Sequence, residues 1–199
     1  MNATDVTPEQ LAEIVEQISR GADTYPVPAD LLHEHDPGVL PVTPVADPAA
    51  ENEPPVNKSL YNTIMQMAVG QKIKLALKGN RDARNILIRD SNRLIPRFVL
   101  QNPRITEDEI AAMSRNRNID TDLLRIIGDH KEWSRLQPVR SALVNNPKTP
   151  VTIALRFVGS LPDRELRLLA KSKNVQSAVA GKAKRLVMQR QTPNAGHAE

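Results

Sequence analysis

Apolar residues recur along this chain at helical rather than strand spacing. Ile64, Met67 and Ala68 fall on one face of a helix, as do Leu123, Ile126 and Ile127, then Leu166, Leu169 and Ala170, then Val175, Ala178, Val179, Ala183 and Leu186. No run alternates long enough to mark a half-buried strand, so the pattern predicts an all-α chain. Its helices should be short, about eight to fifteen residues, because their breaks come often. Asn102-Pro103 and Asn146-Pro147 each end a helix, since the residue before proline is pushed out of the helical region. Thr106 with Glu109 restarts one as a capping box, and Thr149-Pro150 restarts another as a cap followed by a first-turn proline.

The N-terminal part reads differently. Thr7-Pro8-Glu9-Gln10 combines a threonine cap, a proline at the first helical position and a glutamine three residues after the cap, predicting a helix to about Arg20. Leu11, Ile14, Val15 and Ile18 share one face of it, with Glu9, Glu13 and Glu16 away from that face's centre. So short a helix is marginal alone, which makes this face a docking element, seated either in a partner's groove or on the chain's own basic part. Eight of the sixteen prolines then lie between Pro26 and Pro55, a density that neither helix nor sheet sustains. The expected organisation is an N-terminal helix over 1–22, a disordered acidic linker over 23–57, a helical domain over 58–190 and a flexible tail over 191–199.

Within the helical domain a repeat emerges. The stretch from Val99 to Ile110 aligns with that from Leu143 to Ala154, 44 residues on, and weaker echoes surround Asn80, Asn116 and Asn174. Each reads as a helix end, an asparagine turn and a new amphipathic helix, and such periods belong to stacked helical arrays. The run Pro138-Val-Arg-Ser-Ala-Leu-Val-Asn-Asn-Pro-Lys-Thr-Pro150, followed by Ala154-Leu-Arg-Phe-Val158 and Leu166-Arg-Leu-Leu-Ala170, resembles leucine-rich-repeat-variant repeats, which are close in layout to HEAT and armadillo arrays. The whole domain also resembles bacterial proteins of unknown function. The resemblance implies a short α-solenoid of a class used mostly for protein binding.

Charge sharpens this picture. Residues 1–57 carry a net −10 and residues 58–199 a net +14, so the overall +4 hides a dipolar chain. Lys72, Lys74, Lys78, Arg81, Arg84, Arg89, Arg93, Arg97, Arg104, Arg115 and Arg117 form one basic run, and Lys171, Lys173, Lys182, Lys184, Arg185 and Arg190 a second. On stacked helices such residues build a positive ridge that attracts acidic protein or phosphate. Arg93, Arg97, Arg104, Arg115 and Arg117 are the partner-contact candidates. A −10 tail can also cover the +14 domain until a more anionic ligand displaces it.

Candidate chemistry is sparse. With no cysteine there is no thiolate nucleophile, and neither a phosphate loop, a dinucleotide fingerprint nor a nucleophile elbow occurs. His33-Glu34-His35 lacks further ligands for a metal and reads as solvated linker, while His130 sits at a probable helix end beside Asp129. Five aromatic residues spread along the chain, Trp133 among them, offer no stacking platform for single-stranded nucleic acid. These features predict a non-enzymatic interaction module or scaffold without catalytic residues, cofactor or metal. Its expected partner is an acidic or helical protein; the alternative is sequence-independent binding of nucleic-acid backbone by the same ridge. The acidic start from Met1 to Asp5 and the lack of an apolar run of spanning length predict a cytoplasmic protein that inserts in no membrane.

Overall fold

The computed structural model describes residues 6–21, 24–34 and 58–191. Every regular element among them is helical, and none of the described helices is long and apolar enough to cross a membrane. The chain divides into two compact units, Met1–Ile105 and Thr106–Glu199. Of the segment expected to be a disordered linker, residues 35–57 lie outside the described residues, as does the tail from 192 onward. Residues 24–34 depart from that expectation: they follow a defined path against the first unit and include a 3-10 turn at Ala29–Leu31, with Leu31 only 2% exposed.

The first unit holds α1 (Pro8–Ser19), α2 (Lys58–Met65), α3 (Val69–Lys78), α4 (Arg81–Leu87) and α5 (Leu94–Val99). Thr7 and Gln10 close the expected capping box at the start of α1. Helix α3 is central: it packs on α1, α4 and α5, and α4 meets both α2 and α5. Ile64, Ile73, Leu75, Ala83, Leu87, Ile95 and Val99 are fully buried between them. Lys72, expected on the surface ridge, is instead buried, its Nζ donating to Asp90 Oδ2 at 2.9 Å. Burying that ammonium requires the carboxylate beside it, because an unpaired charge there would lose its hydration without compensation.

The second unit holds α6 (Glu107–Arg115), α7 (Thr121–Asp129), α8 (Gln137–Asn145), α9 (Val151–Val158), α10 (Asp163–Lys171) and α11 (Ser177–Gln191). Here α8 packs on α6, α7 and α9, and α11 on α9 and α10. Thr106 and Glu109 form the capping box read from the sequence. Two local expectations change. On α7 the buried set is Leu123, Leu124 and Ile127, leaving Ile126 38% exposed, so the inward face is rotated from the one first drawn. At α9 the cap position falls on Pro150 rather than Thr149, whose N–H donates to Asn146 O and whose buried hydroxyl has no partner.

Side-chain amides join successive turns within each unit. Asn102 Nδ2 donates to Ala76 O at 2.9 Å and Gly79 O at 3.2 Å, while its Oδ1 accepts from Arg104 N at 2.9 Å. Asn146, 44 residues on, repeats the set: Nδ2 donates to Ser114 O at 2.9 Å and Asn116 O at 3.0 Å, and Oδ1 accepts from Lys148 N at 3.0 Å. Gln176 continues the pattern, donating to Pro147 O at 2.9 Å and Thr149 O at 2.8 Å. Asn116 and Asn174 differ from the equivalence expected of them. The side chain of the first accepts a local turn bond from Asn118 N at 2.7 Å, and the second is exposed, with its bridging place taken by Gln176. Gly79 belongs to this arrangement, since a Cβ there would overlap Leu75 O and push the turn away from Asn102.

Replacing Asn102 or Asn146 by alanine removes two donors to turn carbonyls and the acceptor for an N–H, and should lower stability by about 2–3 kcal/mol, with Asn102→Ala at the lower end because Gly79 O keeps its bond from Arg84. Asn116→Ala should cost less than about 1 kcal/mol. Urea unfolding of the three variants measures the difference; equal losses would count against the bridging role.

Candidate functional site

The most elaborate surface of the first unit is the one that carries the chain's own N-terminal segment. Gln71, Lys74 and Lys78 occur at three- and four-residue spacing on α3, so they form one polar stripe. All three are committed to main-chain carbonyls: Gln71 Nε2 to Pro26 O at 2.5 Å, Lys74 Nζ to Tyr25 O at 2.8 Å, and Lys78 Nζ to Ile18 O at 2.7 Å. Apolar anchors sit among these bonds. Ile18 is 1% exposed at the end of α1, and the Tyr25 ring lies where a side chain on Gly70 would otherwise project, so a methyl added at Gly70 would overlap it.

Beyond Tyr25 the segment returns to the turn between α3 and α4. Asn80 Nδ2 donates to Asp30 O at 3.0 Å and His33 O at 3.1 Å, its backbone N–H donates to Leu31 O at 2.7 Å, and its Oδ1 caps α4 by accepting from Ala83 N at 3.0 Å. These bonds reproduce toward residues 30–33 the pattern that Asn102 makes toward 76–79. Arg104 Nη1 adds a bond to Leu32 O at 2.7 Å. The chemistry of the site is therefore recognition of an extended backbone through its carbonyls, with apolar side chains setting the register.

Charge closes the segment. Arg84 is only 1% exposed; its Nη1 donates to Glu34 Oε1 at 2.7 Å and to Gly79 O at 2.9 Å, while Arg81 N donates to Glu34 Oε2 at 3.1 Å. Partial burial by itself raises the Glu34 carboxyl, but the hydrogen bonds from Arg84 and Arg81 and the charges of Arg84 and Arg104 outweigh it and hold the group below its ordinary range. Glu34, read in the sequence as part of a solvated motif, is thus an ion-pair partner, and His33 contributes its carbonyl. His35 lies outside the described residues.

Among the predicted contact residues, Leu11, Ile14 and Val15 are half-buried and Ile18 buried, with α1 packed on α3. Arg93, Arg97 and Arg104 are exposed on the first unit, Arg115 and Arg117 on the second. Sequence reasoning grouped Lys74, Lys78 and Arg84 with a ligand-facing ridge and missed that they hold Tyr25, Ile18 and Glu34. The stripe of Gln71, Lys74 and Lys78 opposite the buried Ile73 and Ala76 was the available signal.

In the second unit an open groove of about 540 Å³ lies between α7 and α9, lined by Thr121, Asp122, Arg125, Asp129, Thr152 and Arg156 among others. Asp129 Oδ1 accepts from Arg156 at 3.1 Å, and its Oδ2 stands 4.0 Å from Arg125 Nε, so the charges lining the groove largely answer one another. His130 stacks on Trp133 at 3.8 Å between ring centroids and accepts from its N–H at 3.4 Å through Nδ1, which gives that ring a structural role at the end of α7. No group of three or more His, Cys, Asp or Glu residues among the described residues could hold a metal ion. Comparison with family models, curated proteins and solved structures finds no match.

Because the lowered Glu34 carboxyl binds its proton less readily when docked, its contact with Arg84 contributes fully above the ordinary value of about 4.5 and fades as pH falls through the lowered value. Hydrogen-exchange protection of the Asn80 amide should therefore drop on acidification below about pH 4.5, and Glu34→Gln should flatten that dependence. A profile unchanged by the substitution would assign the loss to other carboxylates.

Proposed function

We propose that the chain is a non-enzymatic protein-interaction module, a short α-solenoid of the HEAT-like or leucine-rich-repeat-variant kind, that binds an acidic or helical protein partner through its basic surface. One observation carries the reading: α3 and α4 hold an acidic amphipathic helix and the extended segment after it, so the surface already accommodates this class of ligand. The recurrent amide bridges at Asn102, Asn146 and Gln176 support the stacked-repeat architecture, in which each turn caps the one before it. The exposed arginines 93, 97, 115 and 117 supply long-range attraction for acidic protein.

Titration of the full chain with acidic amphipathic helical peptides and with duplex DNA, at about 50 and about 200 mM salt, separates this from phosphate-backbone binding. Peptide binding should persist at the higher salt, and reversing Arg93, Arg97, Arg115 and Arg117 to glutamate together should weaken it roughly tenfold with the helical circular-dichroism signal retained. Duplex binding that falls about a thousandfold over that range, with no peptide binding, would overturn the proposal in favour of a nucleic-acid surface.

A further inference from the structure

The segment seated on α3 and α4 is built like a bound peptide. The bonds it receives from α3, Asn80 and Arg104 go mostly to its backbone carbonyls, and its principal side-chain anchors are Ile18, Tyr25, Leu31 and Glu34, with Leu11, Ile14 and Val15 half-buried along α1. The segment is acidic, with only Arg20 offsetting Glu9, Glu13, Glu16, Asp30 and Glu34 among its described residues, and Arg84 meets Glu34 at its end.

From this we infer that residues 7–34 are a tethered pseudo-ligand, and that the module's partner carries a segment of the same register that replaces it. The register is an acidic three-turn helix ending in a buried aliphatic residue, an aromatic residue seven positions on, a leucine six further and a glutamate three further, as in Ile18, Tyr25, Leu31 and Glu34. The inference rests on the interaction-module reading and names both the partner's recognition motif and its regulation. Exchange, rather than simple opening, follows from what the segment satisfies. Removing it would take the Glu34 carboxylate from the buried Arg84 guanidinium and two carbonyls from the Asn80 amide, so the site favours a substitute over vacancy. A segment tethered to its own site competes at a local concentration on the order of millimolar, so an untethered ligand meets strong competition in the native chain.

The test uses a fluorescein-labelled synthetic peptide of residues 6–34 and the full-length protein in three forms: native, with Ile18→Asp and Leu31→Asp to weaken its own segment, and with those changes plus Gly70→Ala. The weakened chain should bind the peptide at least about tenfold more tightly than the native one, because the tethered competitor is disabled. Gly70→Ala favours the helix while crowding the Tyr25 seat, so it should reduce that binding by roughly fivefold without loss of helical signal. The peptide should also raise the thermal midpoint of the weakened chain and not that of the native chain, a readout that holds even where the weakened chain is marginally folded. Glu34→Gln alone, which leaves the apolar anchors intact, should shift peptide binding in the same direction by a smaller factor. If a scrambled peptide of the same composition binds as well as the native order, the register falls while the acidic-partner reading stands. If neither weakened chain nor Glu34→Gln gains affinity or thermal stability from the peptide, residues 7–34 are a fixed part of the core and the exchange is wrong, whatever acidic peptides do at the exposed arginines.

Discussion

A helix of eight or nine residues leaves four carbonyls open at its C-terminal end, as many as a helix of thirty, while having few internal bonds to set against them. The described residues fold mostly into helices of six to twelve residues, so their stability turns on how those carbonyls are answered. The buried amides of Asn102 and Asn146 answer some of them, and the half-buried Gln176 amide answers carbonyls of the loop after α8. Asn102, Asn146 and Gln176 each reach across to two carbonyls at an earlier turn, and both asparagines use the opposite end of the amide to brace their own turn. Asparagine suits the task because one planar group supplies two donors and an acceptor in fixed geometry. An aspartate there would turn donors into acceptors, and a leucine would leave every one of these polar groups dry and unmatched.

Cations do the same work, at the end of α3 beside Asn102 and at other helix ends. Arg84 reaches Gly79 O, Arg140 reaches Ser134 O, Arg156 reaches Gly128 O, Lys182 reaches Leu155 O, and Arg190 reaches both Gly159 O and Leu161 O. A positive group at the negative end of a helix dipole adds electrostatic stabilisation to the hydrogen bond. The net +14 of residues 58–199 therefore overstates the field offered to a ligand, because part of it is bound to the protein's own backbone. That division of labour explains how the domain carries many basic side chains on short helices without simply repelling itself apart.

The N-terminal segment extends the same logic to the start of the first unit. Residues 30–33 present carbonyls to Asn80 as residues 76–79 present them to Asn102, so a piece of non-repeating chain stands where a preceding turn would stand. Recognition and folding are thus one set of bonds at this site.

Much of this was legible along the chain. The capping boxes at Thr7 and Thr106 and the breaks at Asn102-Pro103 and Asn146-Pro147 are decided by neighbours within four residues, and they reappear where the pattern placed them. The faces drawn through Met67 and Ala68 and through Ile126 do not: α2 ends at Met65, Ala68 precedes α3, and α7 buries Leu124 in place of Ile126. The asparagine turns were visible as turns for the same reason. What the sequence could not decide was where each polar group looks for its partner. The bonds from Lys78 to residue 18, from Arg84 to residue 34 and from Arg104 to residue 32 span 50 to 72 positions, with no local signature at either end. Composition marked residues 23–57 as unstructured because proline denies them helix and sheet, yet the described stretch 24–34 is held without either because its carbonyls are met by side chains from elsewhere. By itself the sequence determined the helices and their ends; only the tertiary structure decided which cations face solvent and which are buried against backbone, because that choice depends on distances between residues remote in the chain.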